Sequence, residues 1–558
     1  MIRVGPLVYS AFGVILALPP TYAALNPPMV PCWGMWEQEF RSHQAPTLDP
    51  WRDVTVRVRL TRPDGKEIFT EAFWDGGTVW RVRWLVDCQG IWTFETECSN
   101  RSDAGLHGVR GQFACAPPAA RTIWDRHGPI RVADTGWHFV HADGTPFFWL
   151  ADTAWNGALK SSDEEWDLYL RTRAEQGFNA VQWVATHWRA APAGDRDGRL
   201  AFTTSETGRI MVQPEFFQRL DRRARAVAEA GLLNVPVMLW ALKPTDPGHY
   251  LPLEDAIRLA RYMRARWQGW PVAWLLGGDG HYGGTNAPRW RTIGRAVFGD
   301  GRSGPVSLHP CGQSWVASEF AEEAWYSFIG YQSGHGDSAS TLKWIVRGPP
   351  ASEWSRGPAR PIVDLEPAYE HHLAYQSRTP ITPWMTRRAI LWGLLTHPPA
   401  GFTYGGHGVW GWDDGSGPPV DHPNSGTPLP WPQALRMPGA EQMRHIRAFF
   451  ESLPFWTLRP APNLLVEQPG ENDVRRWVAA ASTPSGDRIV LYTPIAQPIR
   501  LQRARVGRIV RASWTDPRTG QRHPLQIGAE LQFRPAADED ALVLIECDSA
   551  LGIQGLQP

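Results

Sequence analysis

The chain carries no surplus charge of either sign: 56 Lys and Arg balance 56 Asp and Glu over 558 residues. It has no long basic run, which argues against a nucleic-acid partner, since that needs a positive surface. Its six cysteines, Cys32, Cys88, Cys98, Cys115, Cys311 and Cys547, show no CxxC spacing, and a zinc site is not expected. The histidines lack metal-ligand spacing, which disfavours a metal-dependent hydrolase. No Gly-rich dinucleotide fingerprint follows any candidate strand, so no cofactor is expected. Internal repeats are lacking as well. Beyond the N-terminus no segment is long and apolar enough to read as a transmembrane span.

The apolar run Val4 to Leu18 follows Arg3 and is broken by Pro19 and Pro20. With Thr21-Tyr22-Ala23 after it, residues 1–23 read as a signal peptide, and the mature chain is expected to be secreted or periplasmic. Export makes one or two disulfides plausible among the four cysteines before residue 120, and Cys32 with Cys115 would join the ends of one domain.

What the chain has in excess is tryptophan, 31 residues. Most fill cores, as the alternating Trp84 and Trp92 suggest. Others stand in runs with Gly, His and carboxylates, such as Gly405 to Asp413. An indole face packs on the apolar face of a sugar ring while neighbouring polar groups satisfy its hydroxyls. The composition therefore points toward a carbohydrate substrate.

Three domains follow from the patterning. Residues 27–118 alternate with period two around turns at Pro63-Asp64-Gly65 and Asp75-Gly76-Gly77, and predict a β-sandwich. Residues 122–452 alternate apolar β-like runs with helical patterns. The strand candidates are 147–151, 179–185, 235–240, 272–277, 306–309, 325–331, 362–366 and 402–405. Ser162 to Glu165 is a capping box opening a helix to about Gln176. Eight βα units predict an α/β fold, a (β/α)8 TIM barrel, with a doubly wound open sheet as the alternative. Residues 415–437 form a Pro/Gly-rich loop, and residues 453–548 are β-rich again, a second small β-sandwich.

Barrel enzymes build their sites at the C-terminal strand ends. Those ends carry Asp152 and Trp155, His187 and Trp188, Trp240, Asp279, His309, Tyr331 and Gln332, Glu366, and then His407 beyond the eighth strand. Asp279 and Glu366 stand out because strands four and seven face each other across such a barrel. Glycoside hydrolysis needs such a pair, one carboxyl to protonate the leaving oxygen and one to attack or to activate water. Asp364, two residues before Glu366, could serve instead, but its depth favours a structural ion pair. His187, His309 and His407 suit sugar hydroxyls. Asp152 could bind a hydroxyl or cap the next helix. Trp188, Trp240, Trp410 and Trp412 are candidates for a stacking platform.

The chain resembles the apiosidase-like glycoside hydrolases, (β/α)8 enzymes that often carry β-sandwich domains at both ends. The resemblance rests on Trp36-Glu37, Phe73-Trp74-Asp75-Gly76, Gly90 to Phe94, Leu150 to Trp155, Gly177-Phe178-Asn179, Trp274 to Asp279, Asp364 to Glu370 and Trp514 to Gly520. It implies that Asp279 is the acid/base and Glu366 the nucleophile of a retaining reaction. Related barrels usually place an Asn-Glu pair after the fourth strand. Asp279 is one methylene shorter than that Glu, so the backbone must supply the missing reach. The alternative function is a non-catalytic carbohydrate-binding or cell-surface protein on a degenerate barrel.

Overall fold

The computed structural model describes residues 27–44, 49–206 and 208–548; the expected signal peptide at 1–23 lies outside them. The chain begins all-β. Seven strands, Met29–Pro31, Met35–Arg41, Val56–Thr61, Glu67–Trp74, Val79–Leu85, Gly90–Cys98 and Arg110–Ala116, join in one sheet, where Met29–Pro31 and Arg110–Ala116 are parallel neighbours. Period-two alternation buries Val56, Val58 and Leu60 and leaves Arg57 exposed. The Glu67–Trp74 strand pairs with Val56–Thr61 over Glu67 to Ala72 and with Val79–Leu85 only through Phe73 and Trp74, so it passes from one partner strand to the next. Trp36 then stacks on Phe113, with centroids 4.4 Å apart, and the core closes around them. All six cysteines carry free thiols, including the buried Cys32 and Cys115.

The middle of the chain is a mixed α/β body built on eight parallel strands. They are β1 (Trp149–Thr153), β2 (Ala180–Val184), β3 (Leu233–Trp240), β4 (Trp274–Gly280), β5 (Val306–Pro310), β6 (Ile329–Tyr331), β7 (Ile362–Asp364) and β8 (Pro399–Tyr404). Every residue of all eight is buried, as expected of strands covered by helices on one face and by each other on the other. The hydrogen-bonded order runs β5-β4-β3-β2-β1-β8-β7-β6. The open doubly wound alternative does not fit, because β5 and β6 come together. Ser307 Oγ accepts from the Gly330 amide at 3.0 Å and donates to the Phe328 carbonyl at 2.8 Å, and the Ser327 amide donates to the Val306 carbonyl at 2.9 Å. A side chain thus bridges the seam where a full ladder is missing.

Local sequence fixes the registers. Asn179 accepts from the Leu150 amide and donates to the Phe148 carbonyl, both at 2.8 Å, which pins the entry of β2 beside β1. The helix Asp163–Glu175 opens on the capping box: Ser162 Oγ accepts from the Glu165 amide at 3.1 Å, and Glu165 accepts from the Ser162 amide at 2.7 Å. Gln182, buried inside the sheet, donates across it to the Leu365 carbonyl at 2.9 Å and steadies the residue before Glu366.

Buried ion pairs tie the flanking regions to this body. Arg266, fully buried on the helix Leu253–Trp267, reaches Asp221 at 2.6 Å and Asp75 of the N-terminal sheet at 2.8 Å. After the helix Pro438–Glu451 come six strands in the order Arg459–Pro460, Ala479–Ser482, Arg488–Thr493, Ala541–Cys547, Ile509–Thr515 and Arg522–Pro524, with a separate two-stranded sheet. There Arg387 of the helix Pro383–Thr396 holds Asp540 and Glu539, each at 2.7 Å. Among the described residues no helix is long and apolar enough to cross a membrane.

Candidate active site

Strand β4 does not end as a regular strand. Its register against β5 slips twice, between Leu275 and Gly278 and again before Gly280, and Asp279 adopts φ +48°. Bulges re-aim side chains, and Asp tolerates the left-handed region better than most residues. Gly278 permits this because a Cβ there would lie 2.5 Å from the Trp240 ring. The result is a buried carboxylate in a cavity of about 270 Å³, where Glu366 also lies.

The two carboxyls sit in opposite electrostatic settings. Burial, reinforced by the negative charge of Glu366, pushes Asp279 up to about 6, against the opposing pull of His309 and of Arg189, whose Nη2 lies 3.4 Å from Asp279 Oδ2. Burial acts upward on Glu366 too, but two imidazoles outweigh it and hold that carboxyl well below the ordinary range. His335 Nε2 is 2.9 Å from Glu366 Oε1. His335 Nδ1 accepts from the Tyr369 amide at 3.3 Å, so the proton resides on Nε2 and is donated to Glu366. His309 Nε2 lies 3.3 Å from Oε2, an ion-pair contact rather than an aligned hydrogen bond. Below about pH 6 this leaves a neutral acid and a fixed anion in one cavity, the arrangement that acid-assisted cleavage of a glycosidic bond requires.

Asp364 differs from its expectation. It has no cationic partner among the described residues. Its Oδ1 accepts from the amides of Ser333 at 3.2 Å and Glu366 at 3.3 Å, and burial pushes its pKa up to about 7. It anchors the turn out of β7 rather than forming an ion pair.

Of the expected binding residues and platform candidates, Trp155, Trp188, Trp240, Gln332 and Trp410 line the cavity. Trp188 and Trp240 lie 4.2 Å apart, and Trp155 sets its edge against both Trp240 and His309. His309 is present through its contact with Glu366.

Five expected binding residues point elsewhere. Asp152 lies within β1 rather than beyond it, and its side chain faces the helices, where Tyr169 and Arg173 each reach Oδ2 at 2.7 Å; it neither meets the cavity nor caps a helix. His187 packs on Phe202 and accepts from the Ala201 amide at 3.3 Å, and burial lowers its pKa to about 4. Tyr331 turns away to His397, its hydroxyl 3.1 Å from Nε2. His407 accepts the Trp410 indole N–H at 3.1 Å and contacts the Gly426 carbonyl, so it orients a wall residue instead of touching the cavity. Trp412 stacks on Trp431, with centroids 4.3 Å apart, and packs edge-on against Tyr169.

The cavity also holds residues that the sequence did not single out, above all Arg189, His335, Tyr375 and His422. Arg189 directly follows Trp188, and that adjacency to a strand end was the available signal. His422 arrives on the Pro/Gly-rich loop, which Asp421 ties down by accepting from Arg189 Nη1 at 3.2 Å and Lys243 Nζ at 2.6 Å. Among the described residues no group of three or more His, Cys, Asp or Glu side chains is disposed to hold a metal ion.

Residues 29–99 match a domain of unknown function, DUF5060. A glycoside hydrolase structure aligns with TM-score 0.65 at 19% identity, covering 77% of this chain and 99% of the other. A glycoside hydrolase family 5 structure from Bacteroides vulgatus ATCC 8482 aligns with TM-score 0.65 at 18% identity, covering 77% and 97%. Another candidate glycoside hydrolase from the same organism aligns with TM-score 0.67 at 18% identity, covering 93% and 100%. At these identities the likeness establishes the fold. No curated protein matches the chain. Residues 133–457 match the family described as Apiosidase-like, catalytic domain, and by that match over more than half its length the chain belongs to the apiosidase-like glycoside hydrolases.

Proposed function

We propose that the protein is an exported glycoside hydrolase, secreted or periplasmic, that cleaves a glycosidic bond in a polysaccharide or oligosaccharide with retention of configuration. Glu366 is the nucleophile and Asp279 the acid/base. The catalytic unit is a (β/α)8 barrel over residues 122–452, flanked by β-sandwich domains at 27–118 and 453–548 that brace it, with residues 1–23 removed as a signal peptide. The single observation that carries this reading is the opposite displacement of two buried carboxyls in one aromatic-walled cavity.

In the first step Asp279 gives its proton to the glycosidic oxygen while a Glu366 oxygen attacks the anomeric carbon. The C–O bond to the leaving group breaks and a glycosyl ester of Glu366 forms. Asp279, now anionic, takes a proton from water, whose oxygen attacks the same carbon and releases Glu366. Trp188 and Trp240 present their rings to the sugar, and Gln332 can accept or donate at its hydroxyls. His309 and His335 hold Glu366 ionised, while burial and the charge of Glu366 keep the proton on Asp279 up to about pH 6 against the opposing pull of His309 and Arg189.

Hydrolysis of an aryl glycoside panel by wild type, Glu366→Gln and Asp279→Asn tests the assignment. Wild type should lose kcat/KM as pH rises through about 6, where Asp279 gives up its proton. That limb should vanish in Asp279→Asn, and Glu366→Gln should be inactive on every substrate wild type cleaves. Variants matching wild type would remove both roles, and binding without turnover would favour the carbohydrate-binding alternative.

A further inference from the structure

A second recess lies along the seam between the N-terminal sheet and the helix Leu253–Trp267. One stretch, of about 700 Å³, is walled by Arg57, Phe69 and Glu71 on the sheet and by Arg261, Arg264 and Arg302 on the other side. A stretch of about 440 Å³ shares Val56, Glu71 and Arg261 with the first and ends among Trp51, Trp74 and Tyr262. The two form one groove, and none of its residues lines the cavity of Asp279 and Glu366.

The walls offer donors and positive charge. Arg264 is matched by Asp300. Arg57, Arg261 and Arg302 make no ion pair among the described residues. Arg57 lies flat on Phe69, its guanidinium carbon 4.0 Å from the ring centroid, and makes no ion pair with Glu71 and Glu97, which stand opposite it on the neighbouring strands. The buried polar atoms that lack partners along both stretches are Trp51 Nε1, Arg258 Nε and Arg264 Nε, all of them donors. Trp51 is only 7% exposed, and a buried N–H without an acceptor is costly unless something supplies one. The ligand that fits is therefore rich in acceptors and anionic, with apolar faces to lay against indole rings. Glu71 and Glu254 on the same walls oppose a densely charged strand such as DNA, which carries about one charge per 1.7 Å.

We propose that this seam groove is a second carbohydrate-binding site, separate from the catalytic cavity, that takes a carboxylated glycan chain. The choice of a glycan rests on the glycosidase reading; the choice of an anion rests on the groove alone. Uronate carboxylates meet Arg57, Arg261 and Arg302, and a ring oxygen or hydroxyl accepts from Trp51. Such a site would hold the enzyme on an acidic polysaccharide while the cavity acts elsewhere on the chain.

Titration calorimetry of the full chain with polygalacturonate hexamer, cellohexaose and a short DNA duplex tests this, with aryl-glycoside turnover measured in parallel. Wild type should prefer the polygalacturonate hexamer over both other probes. Arg57→Ala/Arg302→Ala, changing two exposed residues, should bind it about 5- to 30-fold more weakly with turnover unchanged. Trp51→Phe should weaken it with the fold retained. No polygalacturonate binding by wild type, equal binding of cellohexaose or DNA, or undiminished binding by the double variant would overturn the proposal. Binding without turnover would instead remove the active-site reading and leave the groove standing.

Discussion

Replacing His335 by Ala should raise the pH at which the enzyme loses activity on the acid side. His335 donates to Glu366 at 2.9 Å from a buried position. A hydrogen bond to a charged group contributes about 1.5–3 kcal/mol. One pKa unit corresponds to about 1.4 kcal/mol, so losing this donor should raise the Glu366 pKa by about 1–2 units. The sign follows from the chemistry: Glu366 attacks only as an anion, and removing a donor favours its protonated form. In wild type the carboxyl is held well below the ordinary range, so the acid limb lies far down the pH axis. In His335→Ala that limb should move toward the Asp279 limb near 6 and narrow the active window. The assay is kcat/KM against pH on a cleaved aryl glycoside, with thermal unfolding as a check, since His335 also accepts from the Tyr369 amide. His335→Gln, which can still donate, should bring the limb partway back. A uniform loss of rate at every pH, with the acid limb unmoved, would refute the reasoning.

Arg189→Ala should shift the alkaline limb upward by about one unit, because the cation beside Asp279 favours its ionised form and its loss favours the acid; an unmoved or lowered limb in the pH–rate profile would count against the contact. Arg387→Ala should destabilise the chain by about 3–5 kcal/mol, since it strands the buried Asp540. Chemical denaturation should show the loss, and a change under 1 kcal/mol would mean that the pair does not brace the C-terminal region.

Much of the architecture was legible because its determinants are local. The capping box at Ser162 forms both of its hydrogen bonds, and each strand candidate overlaps an observed strand. Strand ends were harder. Reading the first strand as ending at Ala151 put Asp152 at the barrel mouth, whereas β1 runs to Thr153 and turns Asp152 toward Arg173. A strand buried on both faces carries no alternation from which to read direction. The same limit explains Tyr331, which sits at the end of β6 yet meets His397. Asp279 and Glu366 share a cavity because of a device that composition does not announce, the double register slip and positive φ at the end of β4. Arg189 and His335 escaped notice because each lies in a loop, where spacing says little about which way a side chain turns. Trp412 illustrates the opposite error: its run with Gly and Asp suggested a platform, but Trp431 covers its face.

The most direct test is to trap the glycosyl-enzyme with a 2-deoxy-2-fluoro glycoside of whichever sugar the enzyme releases, and to map the labelled peptide by mass spectrometry. Label on Glu366, accumulating to one equivalent and released on adding an acceptor, is the expected result. Label on another carboxylate, or a product of inverted configuration by proton NMR with no trapped species, would contradict the account.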